Sequence, residues 1–516
     1  MYERLINGFN KWHLMLRFNL FIFLLVSSLT VEAQRENNWI IGAGHGYPNV
    51  SVSFNNGIFS DTITGHNIPM GATKACISDT SGNLLFYTNG IDVYTSQHDT
   101  MQNGMGLNPS TFTFQNQNNG LNIIQSCLIL PIPDSSNLYY LFHYTIDTLY
   151  TVPPPLYQAG EVHTLYYSEI DMSRNAGSGE CVAKNIHLLD DTLDYGGLTA
   201  TRHANGRDWW ILMKKYNQPL YYTWIVTPFG ILGPYTQSIG PVAEMWGLWQ
   251  GCFSEQGDKY ASVLDQPSPT KDLYLYDFNR CSGSLRNMNH IQVADSFASM
   301  GCAFSPSGRF LYYSSRHYLY QFDTHATNVS ASMIVVAVYV YDSLISGFPT
   351  DFAAMQLAPD GKIYLSTANG TDRLHVIEYP DSAGLACNVV QHAIQLQWYN
   401  DGSLPNLPNF HLGALEGSAC DTITGMRGVS KDNLNNILVY PNPANDFVTF
   451  YFPVSLSSTT RCVITNVLGQ EVMKKEIAKG VHEQIISVKD FPVGMYYYNF
   501  IVKGDAILNS GKFIVR

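Results

Sequence analysis

At 516 residues the chain exceeds what one ordinary core holds, so more than one folded unit is expected, and with 45% apolar and 14% charged residues it has ample material for burial. A formal net charge of -12 would repel a polyphosphate, and no Lys/Arg-rich stripe offers a local exception, which argues against nucleic acid as a partner.

Residues 1–33 read as an export signal. Basic Arg4, Lys11 and Arg17 precede an apolar run from Phe18 to Leu29 that ends near Val31, Glu32 and Ala33. The run, roughly 12 residues, is too short for a spanning helix, which needs about 20. Cleavage after Ala33 is expected to leave Gln34 first, and the mature chain offers no further segment long and apolar enough to cross a bilayer as a helix.

From Gln34 to Cys420 a phrase recurs: a β-prone run, a polar turn with glycine, then an aromatic-rich strand. It is clearest in residues 253–260, 304–312 and 357–364, and weaker around Gly82, Asp134 and Gly206. The markers Gly206, Gly257, Gly308 and Gly361 are separated by 51, 51 and 53 residues, which suits a four-stranded propeller blade. Tyr-rich runs such as Leu273–Asp277 and Tyr318–Asp323 alternate as half-buried strands do, and long helical patterns are absent. A period of roughly 52 divides residues 34–420 into about seven blades, of which six carry a visible marker. The seventh is expected to draw strands from both ends, residues 39–54 with 395–412, so that the ring has no free edge. The long interval in the third repeat is expected to form a surface loop around Val152, Pro153, Pro154 and Pro155.

Nine cysteines in an exported chain leave room for disulfides and, being odd in number, at least one free thiol. Cys76, Cys252 and Cys302 each precede a repeat glycine by five or six residues, which places them on comparable strands, as small buried side chains rather than as a metal-holding ring. Residues 421–436, polar and glycine-containing, read as a linker. Beyond them, residues 447–452, 462–464 and 495–502 are β-prone runs between Gly, Pro and Asn turns, the pattern of a small antiparallel β-sandwich.

The fold class expected is therefore all-β, a β-propeller followed by a small C-terminal β-sandwich. Residues 38–42, 78–90, 358–364 and 407–410 resemble propeller-like regions of large extracellular proteins from Gram-negative bacteria with a type IX secretion route, and that resemblance brings no catalytic residues to carry over. Residues 437–516 resemble the type A sorting domain of type IX secretion cargo. The match runs through Tyr440, Pro441, Asn442 and Pro443 at the start, and Asn466 and Gly469 in the middle. Gly494 and Tyr496 follow, then Lys512, Phe513 and Val515 at the end. The resemblance implies export through the periplasm to the cell surface or medium, with the type IX machinery as partner of the C-terminal domain.

Local catalytic signatures are missing: the sequence contains no H-E-x-x-H, G-x-S-x-G, Walker loop, or G-x-G-x-x-G entering a helix, and no cofactor is implied. The glycine-rich stretch 42–46 is expected to be a turn, and Asp79, Asp134, Asp258 and Asp360 to cap their own turns rather than bind calcium. Trp246 and Trp249 are candidate ligand-stacking rings. The leading functional expectation is a noncatalytic adhesion or binding module for a glycan or protein. Its rivals are an extracellular hydrolase or lyase whose groups come from separate blades, and a surface-layer component.

Overall fold

The computed structural model describes residues 34–44, 46–152, 157–242, 248–264, 270–341, 347–418, 420, 437–452, 455–456, 458–466, 470–502 and 507–516. The export signal and the linker, 1–33 and 421–436, lie outside these residues, as do Pro153–Pro155 of the expected surface loop. Two compact units divide after Ile423.

In the first unit, antiparallel sheets follow one another along the chain, here named blades I to VII: residues 38–63, 75–105, 127–193, 199–238, 248–294, 299–338 and 352–400. Blades IV to VII each hold four strands in sequence order, while blades II and III are joined by a single parallel pairing of Gln102 with Glu180. Alternate residues of one strand feed different cores, which is the period-2 rule applied to a sheet covered on both faces. Phe310 and Tyr312 enter the core shared with blade VII, while Leu311 and Tyr313 enter the core shared with blade V. Trp209 and Ile211 face blade III, and Trp210 and Leu212 face blade V. This two-sided burial is why these strands read as nearly unbroken apolar runs. Fully burying one such side chain contributes roughly 1.5–3 kcal/mol.

The chain of shared cores returns to its start. Trp39, Val50, Val52 and Phe54 of blade I pack with Cys76 and Tyr87 of blade II on one side and with Tyr364, Leu374 and Leu396 of blade VII on the other. The ring is thus closed, a seven-bladed β-propeller among the described residues. The expectation that both chain ends supply strands to one blade is corrected: the blade I sheet holds three strands, all from residues 38–63. Residues 395–400 belong to the outer strand of blade VII, Val389–Asn400, whose side chains the sheet ladder claims first. The segment after it lies along blade I: the Asp401 amide donates to the Gly42 carbonyl (2.9 Å) beyond one end of strand Asn38–Ile41, and His411 pairs with Glu36 before the other. The Gly44 amide also donates to Asp401 Oδ2 at 3.1 Å.

The repeat phrase is a turn of fixed geometry. The Gly257 amide donates to the Ser254 carbonyl and that of Gly308 to the Ser305 carbonyl, each at 2.8 Å, and the same bond recurs at Gly82, Gly206 and Gly361. Gly257 (φ 66°) and Gly308 (φ 71°) sit in the left-handed region, where a side chain would be strained. Asp79 caps its turn as expected, its Oδ1 accepting from the Ser81 and Asn83 amides at 2.8 and 2.9 Å. In blade III the long interval is taken up by β structure, strands Tyr157–Asp171 and Glu180–Leu193 with Thr148–Val152 paired alongside, because bulged pairing lets long strands extend past the ring.

The second unit has two sheets, strands Leu438–Tyr440, Phe447–Tyr451 and Glu483–Ser487 in one and Thr460–Asn466, Glu471–Ile477, Gly494–Val502 and Ile507–Val515 in the other. Val448, Phe450 and Ile486 from the first share a core with Cys462, Tyr498, Phe500 and Phe513 from the second.

Two histidines in the first unit are fully buried as neutral rings. His143 meets Asn108 Oδ1 (2.7 Å) and Ser168 Oγ (2.8 Å), and His375 meets the Thr350 carbonyl (2.6 Å) while accepting the His392 amide (3.2 Å). Burial pushes both from 6.5 down to about 3. Between those values the unfolded chain binds protons that the native chain refuses, so stability falls as pH drops below 6.5. The expected loss from pH 7 to pH 5 is on the order of 2 kcal/mol per histidine. Asp194, pushed up to about 6 by burial although paired with Lys214, works in the opposite direction between 3.8 and 6. Denaturant unfolding of His143→Gln against the parent, at both pH values, separates the two: the variant should show the shallower slope, and equal slopes would contradict it.

Candidate functional site

A propeller offers a central channel and two faces, and the channel is the place where groups from separate blades converge. Gln256, in the turn after the inner strand Leu248–Phe253, reaches the Pro306 carbonyl in the turn after Ser299–Phe304 (3.0 Å), so these neighbouring inner strands run the same way. One face therefore carries the turns that follow inner strands, and the other carries the connections that lead into them.

Side-chain amides fill the channel. Gln250 of blade V accepts from the Cys302 and Met355 amides (3.2 and 3.1 Å) and donates to the Met355 carbonyl (2.6 Å), tying blades V, VI and VII. Gln125 accepts from the Gly197 and Gly251 amides (3.2 and 2.9 Å) and donates to Asn406 Oδ1 (3.3 Å). Asn406, from the segment along blade I, donates to the carbonyls of Cys127 (2.9 Å) and Leu198 (2.8 Å), and its own amide donates to the Lys74 carbonyl (3.0 Å). The cavity left between these groups is about 50 Å³. That volume holds a few waters, well short of the 300–1,000 Å³ of a pocket for a drug-sized ligand.

At the turn end of the channel, titratable groups from four places meet. Glu36 pairs with His411 and keeps Oε2 buried without a partner. Glu255, which lines the cavity, is pushed up to about 7 by burial, then by Glu36, against the opposing pull of His411. Burial brings Arg202 down to about 9, with Arg35 adding to the effect and Asp208 opposing it, and its guanidinium lies 3.7 Å from the Trp209 ring centre. Thr201 Oγ1 is buried there without a partner. At the other end Lys74 donates to the Gly71 and Asp401 carbonyls (2.6 and 2.7 Å), and burial brings it down to about 7 against the raising effect of Asp401.

The opposite face carries exposed rings where blades VI and VII adjoin. Phe297, 42% exposed, stacks on His317 at 4.6 Å; Tyr318 lies 4.7 Å and Tyr339 6.3 Å from the same imidazole. Val340, Tyr341 and Phe348, each more than half exposed, extend the patch in sequence. An Arg316–Asp351 ion pair at 2.5 Å borders it. Sequence reasoning missed these residues because scattered aromatics in a β protein are usually packed between sheets, and only the loop positions of Phe297 and Tyr341 signalled otherwise.

Of the rings singled out from sequence, Trp246 lies outside the described residues, and Trp249 is placed on the inner strand Leu248–Phe253 with its side chain outside what is described. Cys76, Cys252 and Cys302 do fall on inner strands, and among the described residues no group of three or more metal-ligating side chains gathers.

In the second unit, strand Ile507–Val515 turns Phe513 and Val515 into the core and leaves Lys512 exposed. Phe513 stacks on Tyr496 at 5.8 Å, and Gly494 pairs with Val515. Asn442, between Pro441 and Pro443, accepts the Ile514 amide at 2.8 Å, and Tyr440 ends the first strand. Asn466 Oδ1 accepts the Gln470 amide at 3.1 Å across a turn whose Gly469 lies outside the described residues.

Residues 438–516 match the family described as the secretion system C-terminal sorting domain. No curated protein matches the chain. Among solved structures, the first unit is similar to a Bacteroides fragilis protein provisionally assigned as a 6-phosphogluconolactonase, at 12% identity and a TM-score of 0.43, over 73% of this chain and 98% of that one. It is also similar to a periplasmic gluconolactonase of Pseudomonas aeruginosa, at 13% identity and a TM-score of 0.37, over 72% and 99%.

Proposed function

We propose that this chain, cargo of the type IX secretion system delivered through the periplasm to the surface or medium, works there as a noncatalytic adhesion or binding module. One observation carries the reading: the amides of Gln125, Gln250 and Asn406 occupy the channel and leave about 50 Å³, so a ligand of sugar or peptide size must be met on a face. The face bearing Phe297, His317, Tyr318 and Tyr339 supports it, because solvent-accessible aromatic rings stack on sugar rings and peptide groups.

A second reading, an extracellular hydrolase or lyase, is favoured by one feature, the Glu36, Glu255 and His411 cluster with a carboxyl near neutrality. The mature chain, residues 34–516, is to be screened against a glycan and protein panel for binding and, on the same panel, for hydrolysis. Binding that Phe297→Ala with Tyr318→Ala abolishes and Glu255→Gln leaves intact is the expected result. Turnover lost in Glu255→Gln would instead establish the enzyme.

A further inference from the structure

We infer that Cys252 and Cys302 form a second disulfide, covalently joining blades V and VI beside the channel. Their sulfurs are 3.5 Å apart, on inner strands Leu248–Phe253 and Ser299–Phe304 that pack against each other through the core of Ala261, Val263, Phe304 and Leu311. A disulfide needs about 2.05 Å between sulfurs, so closure asks for a shift of about 1.5 Å shared by two side chains, within reach of χ1 adjustment on neighbouring strands. The positions are offset by one residue in successive repeats, five before Gly257 and six before Gly308, so the period-2 alternation of the two inner strands turns the thiols to opposite sides of their own strands and both into the core between blades V and VI. Cys76, on the inner strand of blade II, is separately engaged, its Sγ donating to the Asn38 carbonyl at 3.1 Å. The chain already carries the Cys281–Cys420 bond, which spans 139 residues and fastens the end of the ring segment to blade V, so it passes through an environment that oxidises thiols.

The reaction is thiol–disulfide exchange with a disulfide-bearing oxidant. One cysteine, as thiolate, attacks the oxidant's sulfur and releases a thiolate; the second attacks the mixed disulfide at the protein sulfur. Two protein thiols are oxidised, the oxidant's disulfide is reduced to two thiols, and the two protons lost by the protein thiols are taken up by the departing thiolates. Cys302 is wholly buried and burial holds its thiol well above the ordinary range, so exchange belongs to the open chain before blades V and VI dock.

The test refolds the reduced full-length chain in oxidised and reduced glutathione, alkylates free thiols under denaturing conditions, and maps peptides without reduction. The expected result is a linked Cys252–Cys302 peptide beside the Cys281–Cys420 peptide, and five alkylated thiols where separate thiols would give seven. Cys252→Ser should lose the first link and keep the second, which serves as the control for correct folding. Recovery of Cys252 and Cys302 both as free thiols, as glutathione adducts, or as a metal-protected pair, while Cys281–Cys420 is linked, would overturn the inference.

Discussion

A chain ending at Ser510 should fold its ring and fail to leave the periplasm. The six residues removed carry Phe513 and Val515, which are 0% and 2% exposed in the core of the second unit. They also carry the groups that bind the start of the domain to its end: the Ala444 amide donates to the Ile514 carbonyl (2.7 Å) and the Arg516 amide to the Ala444 carbonyl (2.9 Å). Loss of a buried Phe alone costs about 3–5 kcal/mol, a large fraction of what a domain of this size holds. The ring forms a separate compact unit with its own cores and should keep its melting transition. Fractionation after expression in a host with the type IX machinery reads the outcome, with the truncated chain expected in the periplasm and the parent at the surface or in the medium. Lys512→Ala separates recognition from folding, since this side chain is exposed and contributes nothing to the core. Retention of that variant places recognition on the outer side of the last strand.

The second large effect is expected from opening the ring. Deleting residues 34–54 removes strands Asn38–Ile41 and Val50–Ser53 together with Trp39, Val52 and Phe54, and uncovers the faces of blades II and VII that packed on them. Exposed apolar faces and unpaired strand edges recruit other chains, so the deletion should aggregate or lose cooperative unfolding. A milder version acts from the opposite chain end. Asn406→Ala leaves the Cys127 and Leu198 carbonyls without their donors, at about 1–3 kcal/mol for each buried group, measured as a lowered denaturation midpoint. A monomeric deletion variant with an unchanged melting transition would show that blade I is dispensable.

Much of this architecture was legible in the sequence, because a propeller writes its period into the chain. The polar turn after each inner strand needs a residue in the left-handed region, and Gly206, Gly257, Gly308 and Gly361 mark it at nearly equal spacing. Blade I shows no such marker and its sheet holds three strands, all from residues 38–63, while residues 395–400 continue the outer strand of blade VII; hence their misplacement. The filling of the channel was illegible for a different reason. Gln125, Gln250 and Asn406 look like surface amides until the ring brings them within 3.3 Å of the groups they satisfy. The Glu36, Glu255 and His411 cluster joins positions far apart in sequence, and only closure makes them neighbours.

The most direct test of the account is transfer of the address. Residues 421–516 placed behind a signal peptide and a fluorescent protein, in a host with the type IX machinery, should carry that cargo to the surface or medium at a level approaching that of the parent chain. Fluorescence confined to the periplasm, with the fused domain shown to be folded, would contradict the claim that the second unit is an export address and would leave it as a ligand-binding part of the working protein.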